Sequence, residues 1–416
     1  MNTIEAHFYG IPFQSSIYGL TSLLFSGESS HKILVASSKR KVYCIEYSKN
    51  QQSVNFSTRE VQFTYIPGGA EIISIDAFNQ AYHEHDYVVG ITFTKCDTSG
   101  AMSQYLNIYS KWEPMIECDL DNIAQGCLSI CLDFVPFHLT HTELFINSKK
   151  EVVWLLSGND IKVHLYREDK IEQAYCEEPS TTCFPEFSLL DSLVMWMDFL
   201  SSPESRIAAF GCKDGHVIVT SVKLPETCVQ ASWKIQHDAP ICSVRLFQDS
   251  NILNKPLSKD CQSDKINLFV GNMIEMSVVY RDILKNGLEL TSQKVLLASN
   301  KSDCVTCGLV ADIDMDGNNE ILLGTYGQQL MVFKWNVEGS ESYTSYDEQM
   351  FSYPLLQLSY VDVTGDGVKE LLVLTTNGLH ILQHDLTKVS TLCLSRMEWI
   401  IKNVPAEKLE EYLKIE

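Results

Sequence analysis

From Ile33 onward the chain repeats one pattern: four to six apolar or β-branched residues, a short polar turn, and a second run of the same kind. Runs of this length suit strands, and helical periodicity is nearly absent before residue 395. Seven such hairpins are legible: ILVASSKRKVYCIEY from Ile33, YVVGITF with LNIYS from Tyr87, VVWLLSGNDIKVHLY from Val152, IAAFGCKDGHVIVTSV from Ile207, LFVGNMIEMSVVY from Leu268, ILLGTYGQQLMVFKW from Ile321 and LLVLTTNGLHIL from Leu371. Their starts lie 50 to 65 residues apart, a period that strands alone reach in propeller blades.

Each hairpin follows another apolar strand, and five of these carry an aspartate at or near the end: Asp76, Asp133, Asp198, Asp312 and Asp362. A fourth, more polar strand follows most hairpins (REVQFTYI, CVQASWKI, QKVLLAS, YDEQMFS). Four strands in each of seven units predict an all-β, seven-bladed β-propeller. Its first strands should be apolar on both faces because neighbouring blades cover them; its last strands are polar, as edges that must not recruit another chain. The ring closes either through the N-terminal segment Ala6–Phe13 or locally through VSTLCLSR near Val389. The propeller is expected over residues 1–394, and a helical tail over 395–416, with a short helix after Pro405.

Composition narrows the function. With 32 Lys+Arg against 53 Asp+Glu the formal charge is −21, so the body repels nucleic acid and anionic lipid and no nucleic-acid partner is expected. No apolar run is long enough to span a bilayer, and the N-terminus lacks the basic and apolar regions of a signal peptide. Several of the 14 cysteines (Cys44, Cys127, Cys131, Cys212, Cys242, Cys393) sit in apolar runs, which suits buried thiols in a reducing, cytoplasmic setting.

The chemistry-bearing features are two acidic turns, Asp312-Ile-Asp314-Met-Asp316-Gly-Asn-Asn-Glu320 and Asp362-Val-Thr364-Gly-Asp366-Gly-Val-Lys-Glu370. Oxygens at alternate positions can wrap a hard cation, a glycine lets the chain turn back, and the ninth-position carboxylate closes the cage. Both turns resemble FG-GAP repeats, the blade motif of integrin α-subunit propellers. They depart from it in a Glu at the ninth position, and in Thr364 where a carboxylate would serve. Two uses are open: calcium, for which the first turn is the better ligand set, or an Asx-type turn, the favoured use of both, in which Asp312 or Asp362 accepts backbone N–H bonds. No other cofactor is expected.

Catalytic signatures are missing: no P-loop, GxSxG, HExxH or Rossmann glycine pattern occurs. Cys304-Val-Thr-Cys307 is a single CxxC in a strand, better read as core thiols, and His83-Glu84-His85-Asp86 reads as a solvated turn. No enzyme is expected.

Segments spread over residues 10 to 385 resemble the kaptin family. They include Phe13-Gln-Ser-Ser-Ile-Tyr18-Gly-Leu, Val61–Asn79, Val88–Phe93, Leu106–Tyr109, Leu120–Leu128, Leu155–Asp160, Val278–Leu284, Val361–Leu371 and Gly378–His384. The C-terminus departs from the family in being shorter and less basic. The resemblance implies a non-enzymatic scaffold subunit of the KICSTOR complex, which holds a GATOR-type GTPase-activating complex at the lysosomal surface and restrains TOR kinase signalling when amino acids or glucose are scarce. The implied partners are a large scaffold subunit and a second FG-GAP propeller protein. The alternative it carries is an actin-filament-associated protein at lamellipodia and stereocilia, for which Lys39-Arg40-Lys41 is the one tight basic cluster.

Overall fold

The computed structural model describes residues 3–24, 31–50, 53–79, 87–111, 119–146, 149–169, 174–248, 265–336 and 341–403. Their strands form seven four-stranded antiparallel sheets, the blades of a seven-bladed β-propeller. The innermost strands are Ser15–Leu24, Ala70–Asn79, Pro136–Ile146, Val194–Ser201, Ile241–Gln248, Val305–Ala311 and Leu355–Val361, in blades one to seven.

Apolar side chains of the described residues gather into seven clusters, each joining two adjacent blades (the one between blades four and five also takes in Tyr18 of blade one), so the core is a ring of interfaces. This explains which strands are most apolar. The second strands, such as Ile266–Asn272, Glu320–Thr325 and Glu370–Thr375, are buried along their whole length. The innermost strands were expected to be covered on both faces, yet Val194–Ser201 and Leu355–Val361 are only partly buried. They border the central channel, so one side meets less protein. The outer strand Cys228–Gln236 alternates between exposed and half-buried positions, as a solvated edge should.

The ring is closed by the N-terminal strand. Thr3–Gly10 pairs antiparallel with Gly378–His384 as the outermost strand of blade seven, from Thr3 opposite His384 to Gly10 opposite Gly378. Side chains reinforce the seam: Gln357 of blade seven exchanges two 3.0 Å hydrogen bonds with the backbone of Leu20 in blade one. The segment near Val389 takes no part. It lies in a helix, Leu386–Asn403, which starts before residue 395 because Asp385 caps it, its carboxylate accepting the Thr387 N–H at 3.0 Å. The helix expected after Pro405 lies outside the described residues, as do His83–Asp86 and the polar loop 249–264.

Two further expectations are corrected. Asp133 does not end an innermost strand: Cys127–Leu132 is the outer strand of blade two, and Asp133 is exposed in the link to blade three. Cys44, Cys212 and Cys242 are buried thiols as expected, but Cys131 and Cys393 are exposed, one on an outer edge strand and one on the C-terminal helix. Both sit in apolar sequence whose opposite face carries the contacts. The channel is bridged by Tyr18 of blade one, whose hydroxyl donates to the Met195 carbonyl of blade four at 2.6 Å while its ring packs on His138 and Trp196.

Candidate functional site

The acidic turns join the first and second strands of blades six and seven, on one face of the ring. In blade six, Asp312 accepts the N–H groups of Asp316 and Gly317 at 3.0 and 2.8 Å. Asp316 accepts the Asn318 N–H at 2.8 Å, and Glu320 accepts the Ile313 N–H at 3.0 Å. Blade seven repeats the scheme. Asp362 accepts from Gly365 and Gly367 at 2.7 Å each, Asp366 from Val368 at 2.8 Å, and Glu370 from Val363 at 2.7 Å. The first aspartate thus ties down the middle of the loop, and the ninth residue ties its start to the second strand.

Backbone handedness separates the two. Gly365 and Gly367 both have positive φ, whereas blade six places Met315 at φ 60° where blade seven has Gly365. A side chain in the left-handed region is unfavourable, so the remaining contacts of the blade-six loop must hold it there.

The larger difference is charge. Lys334, in the third strand of blade six (Gln329–Asn336), extends its ammonium into the loop. It is ion-paired to Asp314, lies 2.6 Å from Asp316 Oδ2, and lies 3.4 Å from Glu320 Oε1, an ion-pair contact without hydrogen-bond geometry. Burial acts against the ammonium, but its hydrogen bonds to Asp314 and Asp316 outweigh it and raise the lysine pKa. Glu320 is fully buried, and burial followed by repulsion from Asp314 pushes its carboxyl up to about 7. Gln383 holds the corresponding place in blade seven. It follows Leu382, which pairs with Leu371, and its amide donates to Glu370 Oε1 at 3.4 Å. The Thr364 hydroxyl donates to the same oxygen at 3.0 Å. Among the described residues no cationic side chain is within ion-pair distance of Asp362, Asp366 or Glu370.

Ligand atoms of Asp312, Asp314 and Glu320, and those of Asp362, Asp366 and Glu370, lie within 4.8 Å of one another in each set. In blade six a divalent ion would have to displace the ammonium. In blade seven it would compete with N–H donors for both oxygens of Asp362, and with the Val363 N–H and Thr364 hydroxyl for those of Glu370.

The other aspartates serve blade contacts. Asp76 accepts from His141 Nδ1 at 2.7 Å and from Thr21 at 3.3 Å, linking blades three and one to blade two. Asp198 accepts the Leu246 N–H of blade five at 2.7 Å. In the Lys39–Lys41 turn, Lys41 is ion-paired to Glu60 at 2.7 Å and Lys39 stands over the Phe13 ring. Cys304 precedes the innermost strand of blade six, half-buried; Cys307 is buried within it, and burial pushes its thiol up to about 12. Lys334 was not singled out from sequence. The signal was present: in a hairpin whose second strand opens on Glu320, register sets Lys334 opposite it.

The sequence profile of the family described as KICSTOR complex protein kaptin matches residues 3–394. A curated relative, "KICSTOR complex protein kaptin" of Mus musculus, is 39% identical over 398 residues, 95% of this chain and 91% of the mouse protein. Among solved structures, crystals of BBS1N in complex with ARL6DN share the fold. The lead-soaked form matches with a TM-score of 0.54 at 10% identity, and the mercury-soaked form with 0.56 at 9%. Each match covers 92% of this chain and 97% of the other.

Proposed function

The chain belongs to the kaptin family of KICSTOR complex proteins, and we propose that it acts there as a non-enzymatic adaptor subunit. In that role it binds the large scaffold subunit and a second FG-GAP propeller protein, helps hold a GATOR-type GTPase-activating complex at the lysosomal surface, and restrains TOR kinase signalling when amino acids or glucose are scarce. The observation that carries this is the 39% identity to the mouse protein over 95% of the chain. A ring with many variable turns is compatible with several simultaneous partners. No helix among the described residues is long and apolar enough to cross a membrane, and we assign lysosomal attachment to the partners.

Affinity purification of the full chain, tagged at the C-terminus because the N-terminal strand is built into blade seven, tests the reading in nutrient-starved cells. Recovery of the other KICSTOR subunits is expected; actin alone would overturn it. An actin-filament role, the second reading, rests on Lys39-Arg40-Lys41, of which Lys41 is already engaged by Glu60. We further propose that both acidic loops serve as structural turns without calcium, supported by the ammonium in one and the N–H donors in the other.

A further inference from the structure

The innermost strands of blades two to five surround a cavity of about 660 Å³ on the face that carries the first-to-second-strand connections. Most charges around it cancel in pairs. Glu143 Oε1 lies 2.5 Å from Lys150 Nζ, and His141 Nδ1 lies 2.7 Å from Asp76 Oδ2. Burial works against a protonated His141, but the Asp76 carboxylate outweighs it and raises its pKa. His138 is held neutral by burial, its pKa lowered to about 3.

Arg245 and Asp198 are what remain. The Arg245 guanidinium stacks on Trp196, 4.8 Å from the ring centroid, and its Nε is buried with no hydrogen-bond partner. Among the described residues no carboxylate lies within ion-pair distance of it. Arg245 is half-buried and interacts with the Asp198 carboxylate only from beyond ion-pair distance, so its planar fork, which matches the two oxygens of a carboxylate, is left without a paired anion. Asp198 brings an acceptor to the same lining, and Phe78 and Leu200 bring apolar surface. The volume is that of a small-molecule site.

We propose that this cavity binds a small organic carboxylate, with its oxygens on Arg245, a hydroxyl or amine donor on Asp198, and an apolar portion against Phe78 and Leu200. Inorganic phosphate fits less well, because a second negative charge would face Asp198 and Glu143.

Calorimetric titration of the full chain with 3-phenyllactate, phenylacetate and inorganic phosphate tests this. Phenyllactate is expected to bind, phenylacetate to bind roughly tenfold more weakly because it lacks the hydroxyl, and phosphate to give no heat. Arg245→Met, which keeps an unbranched stem on Trp196, should weaken phenyllactate by about tenfold or more while its melting curve shows a folded protein. Asp198→Asn should erase the preference for phenyllactate over phenylacetate, and this holds as a test even if Arg245→Met fails to fold. The proposal is overturned by no heat from either acid, by tighter binding of phosphate, by unchanged affinity in folded Arg245→Met, or by a preserved preference in Asp198→Asn.

Discussion

Blades six and seven carry the same loop on the same scaffold, and they handle its negative charge in opposite ways. Blade six has four carboxylates and brings a lysine from across the hairpin to meet three of them; blade seven has three, meets Glu370 with a neutral glutamine and a threonine hydroxyl, and leaves Asp362 and Asp366 to backbone N–H groups. One position in the third strand, Lys334 or Gln383, makes the difference. Loop shape is therefore set by aspartate-to-backbone bonds common to both, while the electrostatic balance is set by a residue outside the motif.

Removing the lysine should have the largest effect. Lys334→Met strands Asp314, Asp316 and the buried Glu320, and should destabilise by about 3 kcal/mol, the low end for a broken buried pair because the lysine is partly exposed. Gln383→Ala at the matching place should cost less than about 1 kcal/mol. Equal losses in chemical denaturation would show that the two loops are not electrostatically distinct.

The next effect is pH dependence. Glu320 has a folded pKa raised to about 7, so the folded state holds its proton more tightly than the unfolded chain does. Its contribution is therefore most favourable below the unfolded value near 4.5 and is lost as pH rises through about 7. Relative to Glu320→Gln, the native protein should lose about 2 kcal/mol between about pH 5 and 7.5. A difference that is flat with pH, or that grows in favour of the native protein, would break the assignment.

Gln383→Lys transplants the blade-six solution and should stabilise by about 1 kcal/mol at neutral pH, an increment that salt reduces. A loss of stability would mean that blade seven has no room for the ammonium. The smallest expected effect is none: calcium at about 1 mM should leave the melting temperature of the native protein unchanged, whereas a ligand bound by the native state alone would raise it. A rise abolished by Asp366→Asn would locate a metal in blade seven.

The fold was legible because second strands such as Ile266–Asn272 are apolar and buried, and outer strands such as Cys228–Gln236 alternate, patterns that burial between blades imposes directly. Asp133 was misplaced because CLDFV has the composition of an inner strand but runs from the end of an outer one into the link to blade three; composition does not encode distance from the axis. Val389–Leu394 reads as β-branched and apolar but is helical, since Asp385 caps it and no blade edge remains to receive it. At the site, the loop residues were legible as a motif. Lys334 became visible only through strand register, and the pairing of Arg245 with Trp196 bridges two blades that no local pattern connects.

The closure of the ring also sets an order of events during synthesis. Among the described blade strands Thr3–Gly10 is synthesised first, and its seat, Gly378–His384, last. Until then the nascent chain carries an unpaired strand at its start and an open sheet edge at its growing end, both able to pair with other chains. A premature stop anywhere before Gly378 leaves that first strand without a partner, so such products should be captured by chaperones or degraded rather than persist as shorter propellers.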